Sequence, residues 1–165
     1  WRVPPVMLWK TISSVFVIAP SAPTVARTQE GANRMTDETA HEALRATGRQ
    51  AMREVLGEAY MARRDATTTP LNQALRHLSE EFPYASLWTR GTLTRRERSM
   101  VTIGMLVALS QHHELRGHLV GALNNGCTPE EIAEVITHAC AYAGFPAAIA
   151  AMRTAEEVLR EAGAG

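Results

Sequence analysis

A chain of 165 residues, 45% apolar and 21% charged, suits one globular domain with a core of its own. Basic and acidic side chains number 17 each, so no basic field calls for nucleic acid. No apolar run approaches the ~18–20 residues that span a bilayer, which argues against a membrane protein.

Residues 1–34 hold Pro4, Pro5, Pro20 and Pro23 and show no helical period. Arg2, Lys10, Arg27 and Arg34 face only Glu30 there, so the segment is basic and the remainder acidic. Met7 to Ala26 superficially resembles a signal peptide, with Lys10, an apolar run at Ile12–Ala19 and small residues after Ala22. That run is short and interrupted by Ser13 and Ser14, and Met35 stands just before a good helix start. An unstructured extension or upstream read-through is preferred over an export signal, with a cytoplasmic domain over 35–165.

Thr36 or Asp37 can cap a first helix through Leu44, Met52, Val55 and Leu56, with Gly57 as its stop. A linker from Arg63 leads to Thr69-Pro70, read as N-cap and first helical residue. Leu71, Leu75 and Leu78 then mark one face, and Pro83 is expected to end that helix. Thr94 and Glu97 form a capping box opening a very apolar helix, Arg95 to Gln111, which should lie at the centre of the fold. A break at His112-His113 precedes a helix from Glu114 to Asn124, stopped by Gly126. Thr128-Pro129 with Glu131 opens another helix, ended by Gly144, and Pro146 starts a last one to Glu161. No alternating strand pattern of useful length and no repeat appears. The class is all-α, about six helices.

Lys10 is the only lysine and lies outside the domain, so a lysine Schiff base and the usual pyridoxal phosphate anchor are excluded there. Cys127 and Cys140, thirteen apart without a C-x-x-C, are most simply small buried residues; a disulfide or redox pair is the minority reading. No H-E-x-x-H or matched carboxylate set marks a metal site.

Leu87-Trp-Thr-Arg-Gly-Thr-Leu-Thr-Arg-Arg-Glu-Arg-Ser99 resembles the entry to the central helix of carboxymuconolactone decarboxylases. So do Glu114-Leu-Arg-Gly-His118 through Gly126, then Thr128-Pro-Glu-Glu-Ile132, and Glu134 through His138, Tyr142, Gly144 and Pro146 to Ala148. The likeness covers roughly residues 45–160. It implies an alkyl hydroperoxidase D-like fold and a homo-oligomer, a trimer or a hexamer. The two cysteines of the hydroperoxidase motif correspond to Gln111 and Glu114, and its relay glutamate to Ser99, so thiol redox chemistry is rejected.

The reaction that the resemblance implies is decarboxylation of 4-carboxymuconolactone to 3-oxoadipate enol-lactone in protocatechuate catabolism. Such a substrate is its own electron sink, so no cofactor is expected. His118, four residues after Glu114 on one helix face, is the first choice for proton donor or enolate stabiliser, with a core-edge structural histidine as the alternative. Arg98 and Arg90 are candidates for the substrate carboxylates, the alternative for Arg98 being an exposed first turn. His138 and Tyr142, also i,i+4, could line the pocket or make a helix–helix contact; Trp88 could wall the pocket or pack on the central helix. His112 and His113 read as solvated loop residues. Two rival functions remain: the same scaffold on another small carboxylated or lactone substrate in a biosynthetic pathway, or a non-catalytic small-molecule-binding module.

Overall fold

The computed structural model describes residues 24–163, and side chains from residue 36 onward. The chain divides into two units, Trp1–Thr36 and Asp37–Gly165. Most of the signal-like stretch, and the proline-rich part of the expected extension, lie outside the described residues.

Helix α1 spans Thr24–Leu56, ahead of the start expected at Thr36 or Asp37. No proline follows Pro23 in that stretch, so the capping-type residues at 36 and 37 have no break to cap. Gly57, at φ 88°, stops α1 as expected, and α2, Glu58–Ala66, departs after that single residue. The linker expected from Arg63 is thus helical to Ala66. The Thr67 and Thr68 hydroxyls then donate to the carbonyls of Arg63 and Arg64, at 2.8 and 3.0 Å, and finish the turn.

Thr69-Pro70 does not open the next helix. Asn72 instead ties a turn, its Oδ1 accepting from the Thr69 N–H at 2.9 Å and its Nδ2 donating to the Thr67 carbonyl at 3.0 Å. Helix α3 follows over Gln73–Ser79. Pro83 does not stop the chain either: Glu80–Leu87 winds as a π-helix, the Trp88 N–H reaching the Pro83 carbonyl at 2.9 Å. A wider turn has room for proline's ring and missing donor. Leu71, Leu75 and Leu78, expected to mark one face of that helix, are exposed, Leu71 by 96%.

An ionic seam docks this segment onto α1. Glu80, buried, accepts from Arg49 at 3.0 Å and from Arg64 at 3.2 Å; Glu81 accepts from Arg45 at 2.9 Å. Gly48 permits the approach, since a Cβ there would sit 1.9 Å from the Glu80 carbonyl oxygen.

Helices α4 (Arg95–Ala108), α5 (His112–Asn124), α6 (Pro129–Ala143) and α7 (Phe145–Glu161) form the main bundle, α4 packing on α5 and α6, and α7 on α5 and α6. Both capping boxes form, Thr94 with Glu97 and Thr128 with Glu131. Ile103, Val107, Leu115, Leu119, Ile136 and Ala151 are fully buried at its centre. Each large aliphatic among them contributes roughly 1.5–3 kcal/mol by leaving water. Helix α4 is less enclosed than its composition predicts. Ser99, Ile103 and Val107 face inward, whereas Val101, Met105 and Leu109 are exposed, because one chain supplies neighbours for only one stripe. A second core of Met52, Val55, Leu56, Met61, Tyr84 and Trp88 joins α1, α2 and the π-helix. The described residues form seven α-helices and one π-helix, with no strand, as the all-α expectation required.

Candidate functional site

Helix α5 carries the central group. Gly121 lets another backbone approach, since a Cβ there would meet Leu56 Cδ2 at 2.9 Å and the Val55 carbonyl at 3.1 Å; at Gly117, one turn earlier, a Cβ would lie 3.6 Å from the Tyr60 ring. Between them and α2, a cavity of about 230 Å³ is lined by Leu56, Tyr60, His113, Glu114, Gly117 and His118. His118 and Glu114 therefore share one cavity, as their spacing predicts.

The His118 ring is half-buried and stacks on Trp88, centroids 6.5 Å apart and planes at 17°; Trp88 in turn stacks on Tyr84 at 6.0 Å. Burial pushes the His118 pKa below its ordinary value, and the Glu114 charge opposes the shift without reversing it. No hydrogen bond joins Glu114 to His118 among the described residues, so the carboxylate acts through its field. A neutral imidazole in a desolvated wall can donate one N–H and can take up a proton when an anion arrives. Trp88 is buried in the second core with residues of α1 and α2, where it backs His118; it is not among the residues that line the cavity.

The other site residues lie elsewhere. Arg98, half-buried, donates to the Arg90 carbonyl at 3.0 Å, and its Nε is buried without a partner; Arg90 is exposed. Neither lines the cavity at His118. Arg98 instead pins the loop two residues beyond Trp88. His138 and Tyr142 pack ring to ring at 5.3 Å and line a separate, mostly apolar crevice of about 480 Å³ between α4 and α6. Tyr142 is 80% exposed.

His112 and His113 are corrected from loop to helix. They form the first turn of α5, reached through Ser110 at φ 54°, and His113 lines the cavity. Sequence reasoning also passed over Tyr60. The signal that could have found it is the Gly117/Gly121 pair, which marks where another helix comes close.

Cys127 and Cys140 are both free, and burial raises the Cys127 thiol pKa, which disfavours the thiolate that redox chemistry needs. Among the described residues no three His, Cys, Asp or Glu side chains group as metal ligands, and no helix is long and apolar enough to cross a membrane.

The carboxymuconolactone decarboxylase family matches residues 73–157, from α3 to α7, a span that includes Trp88, Glu114 and His118. The chain belongs to that family. It is 41% identical over 116 residues to a 4-carboxymuconolactone decarboxylase of Acinetobacter baylyi, covering 70% of this chain and 87% of that one. It is 32% identical over 126 residues to a nitrosuccinic acid decarboxylase of Metarhizium robertsii, covering 76% and 88%. As a member of the family the protein is a carboxy-lyase. The family match starts at residue 73, so α1 and α2, with Leu56 and Tyr60 of the cavity wall, lie ahead of it.

Proposed function

We propose that the protein decarboxylates 4-carboxymuconolactone to 3-oxoadipate enol-lactone, without a cofactor, in protocatechuate catabolism. The observation that carries this reading is the desolvated His118 imidazole, backed by Trp88 and opening with Glu114 onto one cavity. The 41% identity to a decarboxylase of that substrate supports the choice of lactone.

The bond between the ring's gamma carbon and its carboxylate breaks, carbon dioxide leaves, and the electron pair passes through the ring double bond to the lactone carbonyl oxygen. His118 donates an N–H to the developing enolate and delivers a proton to the alpha carbon. The free imidazole is kept neutral by burial, and a dianionic substrate beside it raises its proton affinity on binding. Glu114 supports the imidazolium that results. Purified protein should release carbon dioxide from 4-carboxymuconolactone, with the rate unchanged by exhaustive dialysis against a chelator. Absence of release, or a rate restored only by metal, overturns the reading.

A second substrate is favoured by the similarity to a nitrosuccinic acid decarboxylase. The chemistry is parallel: a nitro group on the carbon losing its carboxylate takes up the electron pair, as the lactone carbonyl does. Both acids are dicarboxylates with an internal electron sink, and assaying them side by side distinguishes the two.

We also read the protein as a cytoplasmic homo-oligomer, a trimer or a hexamer. Val101 and Met105 on α4 and Leu109 at its C-cap, with Tyr142, Phe145 and Ile149, leave apolar surface exposed that further copies would cover. Sedimentation giving only a monomer at micromolar concentration contradicts this.

A further inference from the structure

Beside the His118 cavity lies a larger one, of about 700 Å³. Helix α2 presents Tyr60 and Arg63 to it, with Thr67 at its C-cap, and α5 presents His113, Arg116 and Val120, each set at the spacing of a single helix face. The last turn of α7, with Glu161, closes a third side. Tyr60, His113 and Gly117 belong to the walls of both cavities, so the two adjoin.

The charge on this wall is one-sided. Arg63, Arg64, Arg76 and Arg116 line it against Glu161 alone. Arg64 and Arg76 are committed to the fold. Arg64 donates to the Arg76 carbonyl at 2.8 Å, to Ser79 Oγ at 2.9 Å and to Glu80, while Arg76 donates to Thr67 and Thr68 at 2.8 and 2.9 Å and to the Arg64 carbonyl. The Arg64 Nε nevertheless remains a buried donor with no partner. Arg116 shares exposed contacts with Glu157, at 3.2 Å, and Glu161, which an incoming carboxylate can replace at little cost. Arg63 has no hydrogen bond or ion pair from its side chain among the described residues.

We propose that Arg63, with Arg116, anchors the carboxylate that the substrate keeps, while the carboxylate it loses sits at His118; this deepens the decarboxylase reading and rests on it. The physical reason is the sign of the charge change. The departing carboxylate becomes neutral carbon dioxide, so a guanidinium beside it would stabilise the ground state more than the transition state. The cavity at His118 has no arginine on its wall, and it has Glu114. The retained carboxylate keeps its charge throughout, and an arginine fork binds it without slowing the reaction. The ligand class is a small dicarboxylic acid, held at one end by the basic crevice and turned over at the other.

The test measures Arg63→Ala, Arg63→Lys and Arg116→Ala with 4-carboxymuconolactone and nitrosuccinate, each first checked for wild-type helical circular dichroism. Both alanine variants should raise KM about tenfold or more with kcat within about threefold, and lysine should restore part of the loss at position 63. Succinate, which cannot react, serves as a probe of the crevice by titration calorimetry. It should bind wild type, and bind both arginine-to-alanine variants about tenfold more weakly or worse. Arg63→Ala and Arg116→Ala with KM and succinate affinity within twofold of wild type, or succinate that does not bind wild type, overturns the proposal. A wild-type protein that turns over neither acid overturns the decarboxylase reading instead, and the succinate titration still reads the crevice by itself.

Discussion

Replacing Gly48 by alanine places a methyl carbon where α1 crosses the π-helix, 1.9 Å from the Glu80 carbonyl oxygen and 2.6 Å from its carbon. Reaching an allowed contact needs about an ångström of separation, and the obstacle is backbone, so no side chain can turn aside. Such overpacking costs roughly 1–3 kcal/mol, and a rigid helix crossing belongs at the upper end. Separation also loosens the Arg49–Glu80 and Arg64–Glu80 contacts, at 3.0 and 3.2 Å, worth about 1 kcal/mol more. Alanine returns about 1 kcal/mol of helix propensity. The net loss is about 2–3 kcal/mol, which for a chain of this size lowers Tm by about 4–12 °C. Gly104→Ala is the matched control: its Cβ would lie 3.9 Å from Val135 Cγ1, an ordinary contact, so it should hold or raise Tm. Thermal melts followed by circular dichroism measure both. Because the displaced segment leads to Trp88, which backs His118, kcat/KM should fall as well. A Gly48→Ala protein melting at or above wild type refutes this account of the crossing.

His118→Ala should lower kcat by roughly 10²–10⁴-fold with a small change in KM, and Glu114→Gln should fall between it and wild type; a folded alanine variant keeping half its turnover removes His118 from the mechanism. Burial holds the free-enzyme imidazole below its ordinary pKa of about 6.5, so kcat/KM should decline as pH rises through that lowered value. Dianion binding raises the affinity for the proton, so the decline of kcat should lie at higher pH; coincident limbs would show that His118 gains no proton on binding. Glu80→Gln leaves the nearly buried Arg64 short of a counter-charge and should cost about 2–4 kcal/mol in urea unfolding, with Arg49, one-third exposed, softening the effect.

Local rules in the sequence marked most helix ends in the second half of the molecule, though not the end of α4 at Ala108 or the start of α5 at His112. A cap, a proline at the first helical position or a positive-φ glycine acts within one turn, so Thr94, Thr128, Gly126 and Gly144 mark helix ends irrespective of what packs around them. The i,i+4 spacing likewise put Glu114 and His118 on one face, and they share a cavity. Residues 58–88 were misread because their conformation depends on partners distant in sequence. Pro83 is carried through a π-helix that is docked by arginines some thirty to forty positions earlier, and Leu71, Leu75 and Leu78 have a periodic pattern with no neighbour to cover them. Spacing along the chain could nominate Arg98 and Arg90 as carboxylate ligands, but only the helix arrangement could show that Arg63 and Arg116, from α2 and α5, line the crevice next to His118. Charge in a site is set by which faces meet, and one-dimensional spacing carries that information within a helix but not between helices.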